Sequence, residues 1–180
     1  MAEDHGLTDA ALRGYSNLGV LYSTLNPQRA LEVCRKGLEE ARRIGDLGFE
    51  ARLSANLAVA CCTFTDHCSA EGLDAAERAL DLDRRLDLRD HLAVPLTVLA
   101  QIHQCQGSPE EALRYYGEAL EVASETGEAQ LLFPCYDGLA VLHLSRDEQT
   151  EAEEYFKKAQ ALCERAGIDP DAFVVLPYLA

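Results

Sequence analysis

Small and apolar residues recur along the chain in two alternating patterns that repeat about every 40 residues. In the first pattern they lie three and four positions apart, at Tyr15–Tyr22, Ser54–Cys61, Leu96–His103 and Tyr136–His143. The second pattern follows each of these segments, at Ala30–Leu38, Gly72–Leu80, Ala112–Leu120 and Ala152–Gln160. Such spacings place the residues on one stripe of a helix, and small residues beside large ones suit two closely crossing helices. The pattern therefore predicts an all-α protein made of four antiparallel helix pairs.

The helix-breaking residues lie between these segments. An N-cap residue followed by proline begins two of the second helices, at Asn26-Pro27 and Ser108-Pro109. Glycine follows the ends of three second helices, where a left-handed C-cap favours it, at Gly45, Gly127 and Gly167. We therefore expect eight helices, near residues 9–24, 27–44, 48–64, 70–86, 91–105, 109–125, 129–145 and 149–166.

Composition narrows the classes of partner. The 180 residues include 16 Lys and Arg against 31 Asp and Glu, a formal net charge of −15. This balance argues against nucleic acids and anionic membranes, because both recruit basic surfaces. The first residues lack the basic and apolar regions of a signal peptide, and no stretch approaches the length of a membrane span. The seven cysteines show no paired spacing, which favours a reducing compartment, and we expect a cytoplasmic protein.

The repeats resemble the tetratricopeptide repeat. Its first helix carries a large residue, then Leu, then Gly or Ala, and its second helix carries small residues around an aromatic one. The stretch from Leu96 to Leu120 matches this pattern best, and the run Asn17-Leu18-Gly19 is similar to the longer variant in kinesin light chains, Pins-type regulators and bacterial signalling regulators. The resemblance implies a right-handed α-solenoid that forms one domain over residues 1–180. Its repeats would span residues 9–44, 48–86, 91–125 and 129–166, with a capping or truncated helix at 170–180.

The resemblance also implies a binding surface, because in similar proteins the first helices line the concave side of the superhelix. The residues expected there are Arg13, Ser16, Asn17, Val20, Arg52, Asn56, Val59, Thr97, Gln101, Gln104, Asp137 and Val141. An Asn amide can both donate and accept, so Asn17 and Asn56 could pair with a peptide backbone. The alternative is that both bridge neighbouring helices internally. Repeats three and four carry Val98 and Gly138 at this position, so any row of amides should end midway.

No catalytic signature is present in the sequence: there is no phosphate-binding glycine loop, nucleophile elbow or zinc-protease motif. We therefore expect no enzymatic activity and no cofactor. One group of residues needs weighing, namely Cys62, His67, Cys68 and Cys105. Their three thiols and one imidazole could supply the tetrahedral ligand set of zinc. Their spacing is not a known zinc motif, so redox-active thiols and ordinary packing remain alternatives, and packing is favoured.

Two functions remain open. The first is a non-enzymatic interaction module, or scaffold, that holds a peptide segment or a helix in its groove. The second is an effector-sensing or regulatory domain within a larger bacterial signalling ATPase or transcription regulator. In either case we expect a protein or peptide ligand of unknown identity, and in the second case other domains of a longer parent protein as well.

Overall fold

The described part of the chain, residues 2–64 and 69–167 of this computed structural model, forms eight α-helices. They are α1 (Ala2–Leu25), α2 (Pro27–Ile44), α3 (Leu47–Phe64), α4 (Ala70–Arg85), α5 (Ala93–Cys105), α6 (Pro109–Thr126), α7 (Ala129–Ser145) and α8 (Gln149–Ala166). A short 3-10 helix, Arg89–His91, precedes α5. The helix predicted at 170–180 lies outside the described residues. Consecutive helices pack as pairs, which confirms the all-α helix-pair architecture.

Six of the eight helices begin and end within a residue of their predicted limits, and two begin elsewhere. Helix α1 begins at Ala2 rather than near residue 9. Helix α5 begins at Ala93, two residues later than predicted, after the 3-10 turn. Pro95 is its third residue, a position where the missing N–H leaves no helical bond unmade.

The helix caps agree with the sequence except at one position. The Asn26 side chain accepts a hydrogen bond of 3.1 Å from the Arg29 amide and caps α2. Each predicted C-cap glycine has a left-handed backbone, with φ values of 77°, 69° and 62° at Gly45, Gly127 and Gly167. Ser108 is the N-cap residue of α6 as predicted, but its side chain makes no capping hydrogen bond.

The described residues divide into two compact units, an N-terminal unit that ends at His91 and a C-terminal unit that begins at Leu92. In the N-terminal unit, α1 packs against α2 and α3, and α3 packs against α2 and α4. Gly37 of α2 lies where an alanine is usual in the resembling family. A Cβ atom there would lie 2.8 Å from the Tyr15 Cβ and 2.9 Å from a Leu53 methyl group. The glycine therefore lets α2 approach both first helices closely.

In the C-terminal unit, α6 packs against α5 and α7, and α7 packs against α8. A core cluster joins Ala100, Ala112, Tyr116, Leu139 and Leu142. The small residues at helix crossings, Ala119 and Ala159, are buried as predicted. Within the described ranges there is no β-strand, and none of the helices there combines the length and apolar character needed to cross a membrane.

Candidate protein-binding surface

Three predicted site residues occur twice in the N-terminal unit with the same spacing. Arg13, Asn17 and Val20 on α1 correspond to Arg52, Asn56 and Val59 on α3, each 39 residues later. Spacings of four and three place each triplet on one face of its helix. Because α1 packs against α3, the two triplets lie on neighbouring helices. We call these six residues the paired triplets.

Asn56 connects the two helices directly. Its Nδ2 atom donates to the Ser16 carbonyl oxygen at 3.1 Å and lies 3.3 Å from the Ser16 hydroxyl. The Ser16 side chain is buried at this contact. Asn56 therefore has the internal bridging role that the sequence left open as the alternative. Its amide oxygen is the atom of this side chain that could still accept a bond from a ligand.

The α1 triplet is more exposed than its counterpart on α3. Arg13, Asn17 and Val20 are all exposed, whereas Asn56 and Val59 are half-buried. Arg13 forms an ion pair of 2.7 Å with Asp9 one turn earlier. Both partners of this pair face solvent, so it contributes little to stability and a ligand carboxylate could replace Asp9.

Arg52 belongs to a group that the sequence did not reveal. Its guanidinium carbon lies 5.8 Å from the centre of the Phe49 ring, and its charge acts on Asp83 of α4. Asp83 is only 2% exposed, and its Oδ1 atom makes no hydrogen bond. Its nearest ion-pair partner is the His91 Nδ1 atom at 3.7 Å. Burial raises the pKa of Asp83 to about 6, and the charges of His91 and Arg52 oppose the rise.

Glu50 is a second buried carboxylate that sequence reasoning missed. Its Oε1 atom accepts from Arg42 of α2 and from Arg78 of α4, each at 3.0 Å. Burial raises the pKa of this carboxyl, but the two arginines outweigh burial and hold it below its ordinary value. Glu50 and Asp83 both continue apolar stripes, three residues before Leu53 and four after Ala79. An acidic residue at a position that the helical period assigns to the apolar stripe could have indicated a buried carboxylate.

The five predicted site residues of the C-terminal unit are less accessible. Thr97 is buried and donates to the Ala93 carbonyl oxygen at 2.8 Å. Gln101 and Asp137 are also buried, and burial raises the pKa of Asp137. Gln104 accepts a hydrogen bond of 3.1 Å from the Tyr116 hydroxyl, and Val141 is half-buried. These contacts give Thr97 and Gln104 roles inside this unit.

The candidate metal or redox group is only partly visible. Cys62 is buried and Cys105 is half-buried, while His67 and Cys68 lie outside the described residues. Within residues 2–64 and 69–167, no three His, Cys, Asp or Glu side chains are arranged to hold a metal ion. Elsewhere, burial raises the pKa of Cys34 to about 12 and those of Cys61 and Cys135 to about 11. Such thiols are protonated and unreactive near neutral pH.

The two histidines of the repeated pattern are packing residues. His103 stacks on Tyr115 at 5.3 Å between ring centres, and His143 stacks on Tyr155 at 5.5 Å. The His143 Nδ1 atom also makes a 2.6 Å hydrogen bond with Glu148. Each histidine thus joins the end of a first helix to the second helix of the same pair.

Consecutive helix pairs with buried small residues at their crossings define an α-helical repeat protein. The chain belongs to the tetratricopeptide repeat family, whose sequence model matches residues 66–125 and 92–165. No curated protein sequence matches the chain significantly. Tetratricopeptide repeats mediate protein–protein interactions and are typically non-catalytic modules. Membership in the long-repeat variant stays a prediction.

Proposed function

We propose that the protein binds an extended peptide segment of another protein across the paired triplets of α1 and α3. The observation that carries the proposal is the repetition of Arg, Asn and Val at the same spacing on two helices in contact. A repeated set of side chains suits a ligand that is itself repetitive, and a peptide backbone is such a ligand. Packing needs do not explain Asn17 and Arg13, because both side chains are exposed.

The chemistry of the paired triplets favours an acidic ligand. The chain carries a net charge of −15, yet both charged members of the triplets are arginines. A carboxylate of the ligand could pair with Arg13 or Arg52 through two parallel hydrogen bonds. The Asn17 amide can donate to and accept from the ligand backbone, while Asn56 can offer only its oxygen because its NH2 group bonds Ser16.

Capture of partners by the isolated protein from its source cell, followed by mass spectrometry, would identify the ligand. Titration calorimetry with a synthetic peptide from that partner then tests the site. Asn17→Ala should weaken binding by roughly 5- to 20-fold, the value of about one hydrogen bond, and should leave the melting temperature unchanged. Asn56→Ala should weaken binding and also lower the melting temperature, because the bridge to Ser16 is lost.

The control is Gln149→Ala, which removes an exposed amide at the start of α8. It should change neither affinity nor stability. Unchanged affinity in both Asn variants would refute binding over the paired triplets. Lost stability with unchanged affinity in Asn56→Ala would show that this residue is only a bridge.

A further inference from the structure

Helix α1 has two stripes on opposite faces, one buried and one exposed. One stripe, formed by Leu12, Ser16, Gly19 and Ser23, is buried in the N-terminal unit. The opposite face carries Gly14, Leu18, Leu21 and Leu25, which we call the outer stripe. Its three leucines are 40%, 53% and 71% exposed. Exposed leucines at spacings of three and four form a continuous apolar surface rather than scattered contacts.

The same positions are buried in later first helices of both units. On α3 the equivalents of Gly14, Leu18 and Leu21 are Leu53, Leu57 and Ala60, and on α7 they are Cys135, Leu139 and Leu142. All six are at most 5% exposed. The preceding helix pair packs against each of these helices, α1 and α2 against α3, and α5 and α6 against α7. The outer stripe is therefore a helix-packing surface that no described helix covers.

The charge pattern restricts what can cover it. Residues 14–25 contain no charged side chain, although the chain has 47 charged residues among 180 (16 basic and 31 acidic). A strongly acidic protein repels its own copies over most of its surface. The uncharged outer stripe is a place where two copies can approach, and depletion of charge is typical of interface centres.

The order of side-chain sizes along the outer stripe makes it self-complementary. Its N-terminal end is small, with Gly14 and, one turn before it, exposed Ala11, and its C-terminal end is large, with Leu21 and Leu25. A Cβ atom added at Gly14 would meet nothing within 4 Å, so space is open there. If two such helices run antiparallel about a two-fold axis at Leu18, Leu25 of one copy lies opposite Ala11 of the other, and Leu21 faces the open space at Gly14.

We propose that the outer stripe is a homodimer contact in which α1 packs antiparallel against α1 of a second copy. In such an isologous contact the small end of each stripe lies against the large end of the other, so the same pairing occurs twice about the two-fold axis. One helix stripe covers less than the about 800 Å² per partner of a standard interface. The dimer should therefore be reversible and form at micromolar concentrations. The contact is separate from the paired triplets, so its failure would leave the proposed peptide site untouched.

Sedimentation velocity of the full chain over a range of concentrations tests the dimer. The wild type should shift from monomer to dimer as concentration rises. Leu18→Glu places two carboxylates against each other at the axis and should weaken dimerisation by about 100-fold, because each copy loses an anchor worth about tenfold. The matched control is Leu47→Glu, since Leu47 is 37% exposed at the start of α3, outside the outer stripe. It should dimerise like the wild type.

Gly14→Leu keeps the test independent of folding. Its side chain enters open space in the monomer and replaces a helical glycine, so the monomer should melt at a higher temperature. In the dimer the same side chain occupies the space that Leu21 of the second copy needs, so dimerisation should weaken by about tenfold or more. A wild type that stays monomeric at every concentration, or a dimer that Leu18→Glu leaves intact, would overturn the proposal. A dimer that Gly14→Leu does not weaken would overturn the antiparallel pairing.

Discussion

The ring of Tyr116 lies so close to the backbone of Gly138 that a Cβ atom at residue 138 would overlap the ring atoms. Tyr116 is fully buried, and its hydroxyl donates to Gln104. The ring therefore has little room to move away. At the crossing of α6 and α7, the large Tyr116 side chain fits against the glycine opposite it. This fit holds the two helices in one register.

Replacement of this glycine should destabilise the protein. We expect Gly138→Ala to lower the free energy of unfolding by about 1–3 kcal/mol, the usual result of overpacking a core. Urea denaturation followed by circular dichroism measures the change. Gly117→Ala is the matched control, because a Cβ atom at this helical glycine would meet nothing within 4 Å. It should stabilise the protein by about 0.5–1 kcal/mol.

A double-mutant cycle would show that the effect arises at this contact. Tyr116→Leu removes the ring atoms that crowd residue 138, so the cost of Gly138→Ala should largely disappear in its presence. Equal costs of Gly138→Ala in both backgrounds would mean that the ring is not what excludes the methyl group.

Glu50 should contribute to stability in a way that depends on pH. It is a buried carboxylate that ties α2 and α4 to α3 through Arg42 and Arg78. We expect Glu50→Gln to lower the free energy of unfolding by about 1–3 kcal/mol at pH 7. The pKa of Glu50 is held below its ordinary value, so its contribution is present above that value and lost as pH falls through the lowered pKa. The difference between the variants should therefore shrink below about pH 4.

Glu40→Gln provides the control for Glu50. Glu40 pairs with Arg43 one turn later on the same helix, and Arg43 faces solvent. Loss of this exposed ion pair should leave the melting temperature unchanged, because exposed pairs contribute little to stability. The measurement should cover about pH 4 to pH 7, the range in which carboxylates become ionised. If both substitutions had the same effect, the bridging role of Glu50 would be refuted.

The helices could be predicted from the sequence far better than the contacts of individual polar residues. Helix limits depend on local periodicity and on caps such as Asn26, which act within a few residues. The bridge from Asn56 to Ser16 joins residues 40 positions apart, and it depends on how α1 crosses α3. The sequence showed Gly138 as a gap in the row of amides, whereas the contact with Tyr116 supplies its physical reason.

The buried thiols should resist modification. With a pKa of about 11 to 12, Cys34, Cys61 and Cys135 are thiolates in only about one molecule per 1,000 or fewer at pH 8. We expect iodoacetamide to label them slowly in the folded protein and rapidly in urea, as mass spectrometry of the digested chain would show. Cys105 is half-buried and should be labelled earlier. Rapid labelling of Cys34 or Cys61 in the folded protein would contradict their protection by burial.

Asp83 should oppose folding at neutral pH, the reverse of Glu50. Its carboxyl is 2% exposed with an Oδ1 atom that makes no hydrogen bond, and burial raises its pKa to about 6. A raised folded-state pKa means that the folded protein binds this proton more tightly than the unfolded chain. Stability is therefore lost as the pH rises from the ordinary pKa of an aspartate through the raised pKa of Asp83. Asp83→Asn removes the buried charge and should stabilise the protein by about 1–3 kcal/mol at pH 7.5.

The stabilisation should disappear at low pH, where the carboxyl of Asp83 is protonated and resembles the neutral amide. Chemical denaturation of both proteins between pH 4.5 and pH 7.5, a range that spans the raised pKa, measures this convergence. His91→Gln is the companion variant, because His91 faces Asp83 at 3.7 Å and its charge lowers the pKa of Asp83. Without that charge, ionisation of Asp83 should cost more, so Asp83→Asn should stabilise the His91→Gln protein more than the wild type near pH 6. A destabilised Asp83→Asn protein at pH 7.5 would mean that Arg52 and His91 compensate the buried charge fully.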